Sequence, residues 1–81
     1  MLYKIPLILE PQPEGGFTVT CPILPEFVTE GDTVEDVLVN VRDALQAVIE
    51  AYQDLGRSLP SSLRVPDTNS PVWLETLVAA S

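Results

Sequence analysis

The sequence has no histidine and only one cysteine, Cys21. A single cysteine cannot form a disulfide within the chain, and without histidine it cannot complete a structural zinc site. Cys21 also lacks a base to activate it as a nucleophile, and it lies in phase with the apolar residues of a strand. We therefore expect a buried Cys21, no metal or other cofactor, and a protein that is not an enzyme.

Basic residues and long apolar runs are also scarce. Four Lys and Arg stand against twelve Asp and Glu, which gives a net charge of -8. This charge repels phosphate backbones and attracts cations, so we expect a basic protein partner and no direct binding of nucleic acid. No segment approaches the roughly 20 apolar residues of a membrane span, and the N-terminus lacks a signal-peptide layout. These absences predict a cytoplasmic protein that does not bind membranes.

The length of 81 residues and the hydrophobic content of 46% predict one ordered domain over residues 1–81. A domain of this size buries only about 60% of the surface of its unfolded chain, so its core is marginal. Because disulfides and metals are not expected, contacts between subunits are the remaining way to supplement the core. We therefore expect a homo-oligomer.

Residues 33–56 form the one long segment with helical periodicity. Asp32 or Thr33 can cap its start, and Gly56 stands where a helix needs a left-handed residue after its end. The apolar residues recur at steps of three and four, so they form one stripe that must lie on another apolar surface. The stripe consists of Val34, Val37, Leu38, Val41, Leu45, Val48, Ile49, Tyr52 and Leu55. Val39 lies outside it, and a contact with another chain is one explanation.

Three short extended segments precede the helix. Residues 2–10 alternate in side-chain direction, although Pro6 conflicts with an interior strand because it cannot donate a ladder hydrogen bond. A turn rich in proline and glycine then leads to residues 17–21, whose odd positions are apolar, and the two segments predict a β-hairpin. Residues 27–30 fit a short edge strand. We predict a three-stranded antiparallel sheet over residues 1–31.

The end of the chain is different in composition. Residues 57–71 contain three prolines and four serines and predict a connector with little regular structure. Residues 72–79 alternate in a way that favours a strand, with a short helix as the alternative. Trp73 is either a core residue of the sheet or an anchor for a contact. The predicted fold is α+β, in the order β-β-β-α-β, with an antiparallel sheet, one long helix packed on one face, and a C-terminal strand.

Five carboxylates lie close together in sequence around the third strand and the helix start: Glu26, Glu30, Asp32, Glu35 and Asp36. The last three also suit the cap and the positive end of the helix dipole. One hypothesis is that this acidic rim attracts a basic partner protein. A second is a Mg²⁺-dependent nuclease that uses the carboxylates as ligands. A third is a small oligomeric regulatory protein with another protein partner.

Several motifs together resemble a known family. The first strand ends in EP and is followed by EGGFTVTCP. The link and the helix start read LPEFVTEGDTVEDVLVNVRDAL, and the helix ends in LGRSLP. Over about residues 1–60 the sequence is similar to the HicB-like antitoxins of bacterial toxin–antitoxin systems.

The resemblance implies a partial RNase H-like sheet and a non-catalytic role. Such proteins bind and neutralise HicA, a small basic toxin that cleaves mRNA and carries the catalytic histidine itself. They commonly form dimers or tetramers. Many members also carry a C-terminal DNA-binding segment, and the residues after 60 are neither basic nor long enough for one. We therefore expect a stand-alone domain without a DNA-binding tail.

Overall fold

A computed structural model describes residues 2–66, 69, 71–78 and 80 of the chain. Three strands are followed by one long helix and a short 3-10 turn. They are β1 (Ile8–Pro11), β2 (Phe17–Thr20), β3 (Val28–Gly31), α1 (Val34–Asp54) and the turn Ser61–Leu63. The α+β class, with an antiparallel sheet before a long helix, is confirmed.

The sheet has the order β1-β2-β3, and both pairs are antiparallel. The predicted hairpin between β1 and β2 is confirmed. Gly15 and Gly16 have φ angles of 100° and 78°, which residues other than glycine rarely adopt. These angles allow the tight connection between the strands. Val19 in β2 is fully buried, because its face of the sheet packs on the helix.

The residues before β1 explain the conflict at Pro6. Tyr3 forms an isolated antiparallel bridge with Arg64. The amide of Lys4 donates to the carbonyl of Leu63 at 2.8 Å, and β1 pairs with β2 only from Ile8 onward. Pro6 therefore lies between two different pairings, where its missing N–H removes no ladder hydrogen bond.

Both ends of α1 are set by local sequence. Thr33 is the N-cap, and its hydroxyl oxygen accepts a hydrogen bond from the amide of Asp36 at 3.1 Å. Gly56 has a φ of 65°, and the amide of Arg57 donates to the carbonyl of Tyr52 at 2.8 Å. The second bond, from the amide of Gly56 to the carbonyl of Gln53, completes a Schellman motif. The predicted cap and the predicted C′ glycine are both confirmed.

The buried core joins the sheet, the helix and two irregular segments. Only part of the predicted helical stripe is buried, since Leu38 and Leu55 are exposed. Residues outside the strands and α1 supply four core residues: Cys21, Leu24 and Phe27 between β2 and β3, and Leu63 in the 3-10 turn. The full set is Val19, Cys21, Leu24, Phe27, Val37, Val41, Tyr52 and Leu63. The prediction that Cys21 is a small core residue is confirmed.

The predicted C-terminal strand over residues 72–79 is not confirmed. Residues 71–78 form neither strand nor helix and are exposed, while Ala79 lies outside the described residues. A strand needs a neighbour for its main-chain groups, and the described pairing beside residues 2–4 is taken by residues 63–65. Trp73 is 84% exposed and is not a core residue of this chain.

Candidate functional site

An open groove of about 540 Å³ lies where the β1–β2 turn, the end of β3 and the first turns of α1 meet. Four carboxylates line it: Glu14, Glu30, Asp32 and Asp36. Among the described residues that line the groove, none is Lys or Arg. The groove therefore concentrates negative charge on one end of the molecule, and its chemistry suits a cation-bearing partner.

Two glycines bring the walls of the groove together. A side chain at Gly31 would place its Cβ 2.7 Å from the amide nitrogen of Val37, so β3 approaches the helix closely only because this residue is glycine. A Cβ at Gly16 would lie 2.9 Å from the carbonyl oxygen of Gly31. The hairpin turn, β3 and the helix start are thus packed main chain against main chain.

The helix side of the groove carries Val39 and Asn40. Val39 is 61% exposed. The Nδ2 of Asn40 donates to the main-chain carbonyl of Glu30 at 2.7 Å and ties the helix to β3. Sequence periodicity placed Val39 outside the buried stripe but gave no sign of the Asn40 contact, because that contact joins residues ten apart across the β3–α1 connection.

The structure brings together three of the five predicted carboxylates. Glu30, Asp32 and Asp36 line the groove, while Glu35 is exposed on the first helical turn and does not line it. Glu14, which sequence reasoning missed, joins them from the β1–β2 turn. The pairing of β2 with β3, which sets Phe17 opposite Gly31, brings the β1–β2 turn and Glu14 near residues that lie sixteen or more positions later.

Glu26 lies elsewhere, in the loop before β3. Its carboxylate accepts a hydrogen bond from the hydroxyl of Tyr52, sixteen residues beyond Asp36 and so roughly 24 Å further along the helix. The guanidinium of Arg57 lies 5.2 Å from the centre of the Tyr52 ring. Glu26 therefore anchors its loop to the end of α1 and is not part of the groove.

The hydrogen bond to Tyr52 lowers the pKa of Glu26 below its usual 4.5, with help from its own main-chain amide and from Arg57. The same bond raises the pKa of Tyr52 above its usual 10.0. A lowered carboxyl pKa gives stability that is lost as the pH falls through the folded pKa, and a raised phenol pKa gives stability that is lost as the pH rises through it. The pair therefore stabilises the fold between these two limits.

Two further properties bear on what the site can do. In the part of the chain that the structure describes, no three Asp, Glu or Cys side chains converge in a way that could hold a metal ion. Across the same residues, no helix has the length and apolar character needed to cross a membrane.

A protein-family model described as the HicB-like antitoxin of bacterial toxin–antitoxin systems matches residues 4–80. The match covers almost the whole chain, including the exposed segment after the 3-10 turn. It therefore includes the sheet, the helix and the groove between them.

Individual relatives agree with the family model. Antitoxin HicB 1 of Photorhabdus laumondii is 40% identical over 57 residues, which are 70% of this chain and 37% of that protein. Antitoxin HicB of Escherichia coli K12 is 33% identical over 57 residues, 70% of this chain and 41% of that protein. The UPF0150 protein Ta0767 of Thermoplasma acidophilum is 30% identical over 57 residues, 70% of this chain and 83% of that protein.

The matched region thus spans about two fifths of the length of the two curated antitoxins and most of the length of the smaller relative. An antitoxin has a non-enzymatic role, in agreement with the expectation that this chain is not an enzyme. Sequence, fold and relatives lead to the same assignment. The chain belongs to the HicB-like antitoxin family of bacterial toxin–antitoxin systems.

Proposed function

We propose that this chain binds and neutralises a small basic toxin of the HicA type and that it does so by masking the toxin's RNA-binding and active face. The observation that carries the proposal is the groove with four carboxylates and no basic lining residue, in a chain of an antitoxin family. A toxin that cleaves mRNA needs basic surface to hold its substrate. The acidic groove presents the same sign of charge as the RNA that it would displace. The cytoplasm is the compartment where such a toxin meets mRNA.

The groove residues have different parts in this proposal. Glu30, Asp32 and Asp36 form its acidic wall with Glu14, and these charges steer the toxin during encounter. Val39 supplies apolar contact area, since it is exposed inside the same groove. Glu35 lies next to the groove on the first helical turn and adds to its field.

Glu26 is the weakest of the predicted contact residues. Its carboxylate already accepts the hydroxyl of Tyr52, and it lies near the other end of the helix. A toxin that covers the groove would reach Glu26 only across the loop that precedes β3. In this proposal Glu26 acts only as a peripheral charge.

The direct test is inhibition of RNA cleavage. A purified toxin of the HicA type is incubated with a labelled mRNA, with and without increasing amounts of the purified chain. We expect cleavage to stop near stoichiometric amounts of the chain, because a masking inhibitor acts by occupancy. Undiminished cleavage at a large excess of chain would contradict the proposal. Cleavage by the chain alone, dependent on Mg²⁺, would favour the nuclease alternative.

We also propose that the chain forms a homo-oligomer. Among the residues that the structure describes, eleven large hydrophobic residues are exposed, and five of them lie within residues 72–78. The family model extends over this segment, so it belongs to the unit that members of the family share. A segment of this composition gains stability when another surface covers it.

A further inference from the structure

The edge of β3 is unpaired. In the described part of the chain, β3 pairs with β2 on one side and has no strand on the other. An unpaired strand edge exposes main-chain N–H and C=O groups that can add a further strand. Which residues expose these groups follows from the phase of the hydrogen-bond ladder.

The β1–β2 turn fixes this phase. The amide of Gln12 donates to the carbonyl of Gly16 at 3.0 Å. In an antiparallel ladder, bonded and non-bonded pairs alternate, so Thr18 and Thr20 exchange their main-chain hydrogen bonds with β1. Thr18 and Thr20 are also the partners of Glu30 and Val28 in β3. Their main-chain groups point away from β3, so those of Val28 and Glu30 point to the free edge.

A second contact agrees with this phase. The Nδ2 of Asn40 reaches the carbonyl of Glu30 at 2.7 Å, which requires that carbonyl to face away from β2. Asn40 thus stands where the amide of an added strand would donate. The amides of Val28 and Glu30 have no backbone acceptor among the described residues outside the sheet. The edge therefore offers two main-chain N–H donors and two carbonyl acceptors. One of these acceptors, the carbonyl of Glu30, already accepts from the side chain of Asn40.

The charges beside this edge select the occupant. Glu30 lies on the edge strand, and Asp32 and Asp36 line the groove at the end of that strand. A second copy of the chain would bring another net charge of -8 and a second Glu30 to the same edge. Like charges placed opposite each other on paired strands are destabilising, so self-pairing here is disfavoured. A strand that carries Lys or Arg would instead place its cations beside Glu30 and near the other carboxylates of the groove.

We propose that the free edge of β3 binds an extended basic segment of the partner protein by adding it as a fourth strand. The inference rests on the proposed function only for the identity of the partner. Main-chain hydrogen bonds to Val28 and Glu30 supply the register, and the carboxylates of the groove select basic side chains. The amide of the incoming strand takes over the Glu30 carbonyl from Asn40.

The test removes a single main-chain donor and leaves every side-chain charge in place. The full chain is assembled by ligation at Cys21, from residues 1–20 and 21–81, with an N-methyl group on the amide of Glu30. The matched control carries the N-methyl group on Leu9, whose amide points to the free edge of β1 by the same ladder phase. Thermal unfolding of both proteins verifies that the sheet is intact.

The probe is a synthetic peptide of alternating lysine and valine, titrated against each protein by amide NMR. We expect it to shift and protect the amides of Val28 and Glu30 in the unmodified chain. N-methylation of Glu30 should weaken binding by about tenfold or more, while the Leu9 control binds as the unmodified chain does. The corresponding peptide of glutamate and valine should not bind.

Three results would overturn the inference. The first is that the peptide fails to bind the unmodified chain. The second is that it binds equally well after N-methylation of Glu30, and the third is that it protects the edge of β1 and not that of β3. The binding of a purified toxin of the HicA type to the same proteins is then measured. A toxin that binds regardless of N-methylation contradicts strand addition and leaves the antitoxin proposal standing. A toxin that does not bind at all, beside a peptide that does, contradicts the antitoxin proposal alone.

Discussion

Replacing Gly31 by alanine tests whether β3 and the helix pack as closely as the groove requires. The new Cβ would lie 2.7 Å from the amide nitrogen of Val37, 2.9 Å from its Cγ2 and 3.1 Å from the carbonyl carbon of Asp36. Two of these three atoms belong to the main chain, so movement of a side chain alone cannot relieve the clash. The strand and the first turn of α1 must separate.

The expected cost follows from these contacts. Overpacking of a tight site costs about 3 kcal/mol at the upper end of its range. Alanine also reduces the conformational entropy of the unfolded chain, which stabilises the folded state by about 0.5–1 kcal/mol. We expect a net loss of about 2 kcal/mol in the free energy of unfolding, which lowers the Tm of a domain of this size by roughly 8–16 °C. Urea denaturation and a thermal melt measure both quantities.

Gly56→Ala is the matched control. Gly56 has a φ of 65° and no atom within 4 Å of a built Cβ, so the substitution adds backbone strain without crowding. Its cost should be about 1 kcal/mol. Only Gly31→Ala should also alter the amide shifts around Asp36 and Asn40. A Gly31→Ala protein as stable as the unmodified chain, or more stable than Gly56→Ala, would refute the close packing.

Three further predictions concern other parts of the molecule. Tyr52→Phe should destabilise the chain at pH 7, and the difference in the free energy of unfolding from the unmodified protein should shrink as the pH falls through the lowered pKa of Glu26, where its carboxylate becomes protonated. A difference that stays constant in urea denaturation from pH 7 to a pH at which Glu26 is protonated would contradict the assigned bond. Leu63→Ala should cost about 2–5 kcal/mol, because this side chain is 1% exposed, whereas Ser62→Ala should change little. Trp73 is the only tryptophan in the sequence, so fluorescence emission reports on it alone. If self-association covers this residue, its emission should move to shorter wavelength as the sedimenting mass rises with protein concentration. A monomeric mass throughout the micromolar range would count against self-association.

Sequence periodicity was sufficient for the regular elements. The alternation around Val19, the paired glycines of the hairpin turn and the step pattern around Val37 and Val41 each have a direct geometric meaning. The caps at Thr33 and Gly56 were readable because capping depends on neighbouring residues only. Local rules therefore predicted the hairpin, the third strand and the helix.

Burial in irregular segments was not predictable in this way. Leu24, Phe27 and Leu63 are core residues, yet the apolar residues in these short segments form no periodic pattern. The alternation of residues 72–79 suggested a strand, but alternation does not supply a neighbour, and residues 63–65 hold the place beside residues 2–4. The RNase H-like relationship stays a prediction.

The candidate site was predictable only where it is local in sequence. Glu30, Asp32 and Asp36 are near neighbours, and they come together as expected. Glu14 joins them through the pairing of β2 with β3, and Glu26 lies apart from them because its carboxylate is bonded to Tyr52. Both outcomes depend on tertiary contacts that no short-range pattern records.

The most direct test of the acidic groove is the association rate of the toxin with two charge-matched variants. One carries Glu30→Lys, Asp32→Lys and Asp36→Lys, and the other carries Asp43→Lys, Glu50→Lys and Asp54→Lys on exposed helix positions outside the groove. Each variant has a net charge of -2, from -8 plus three changes of +2. We predict that the groove variant associates about 10- to 100-fold more slowly at low salt, with a much smaller loss for the helix variant. Equal slowing of both variants, or no slowing of the groove variant, would contradict the account.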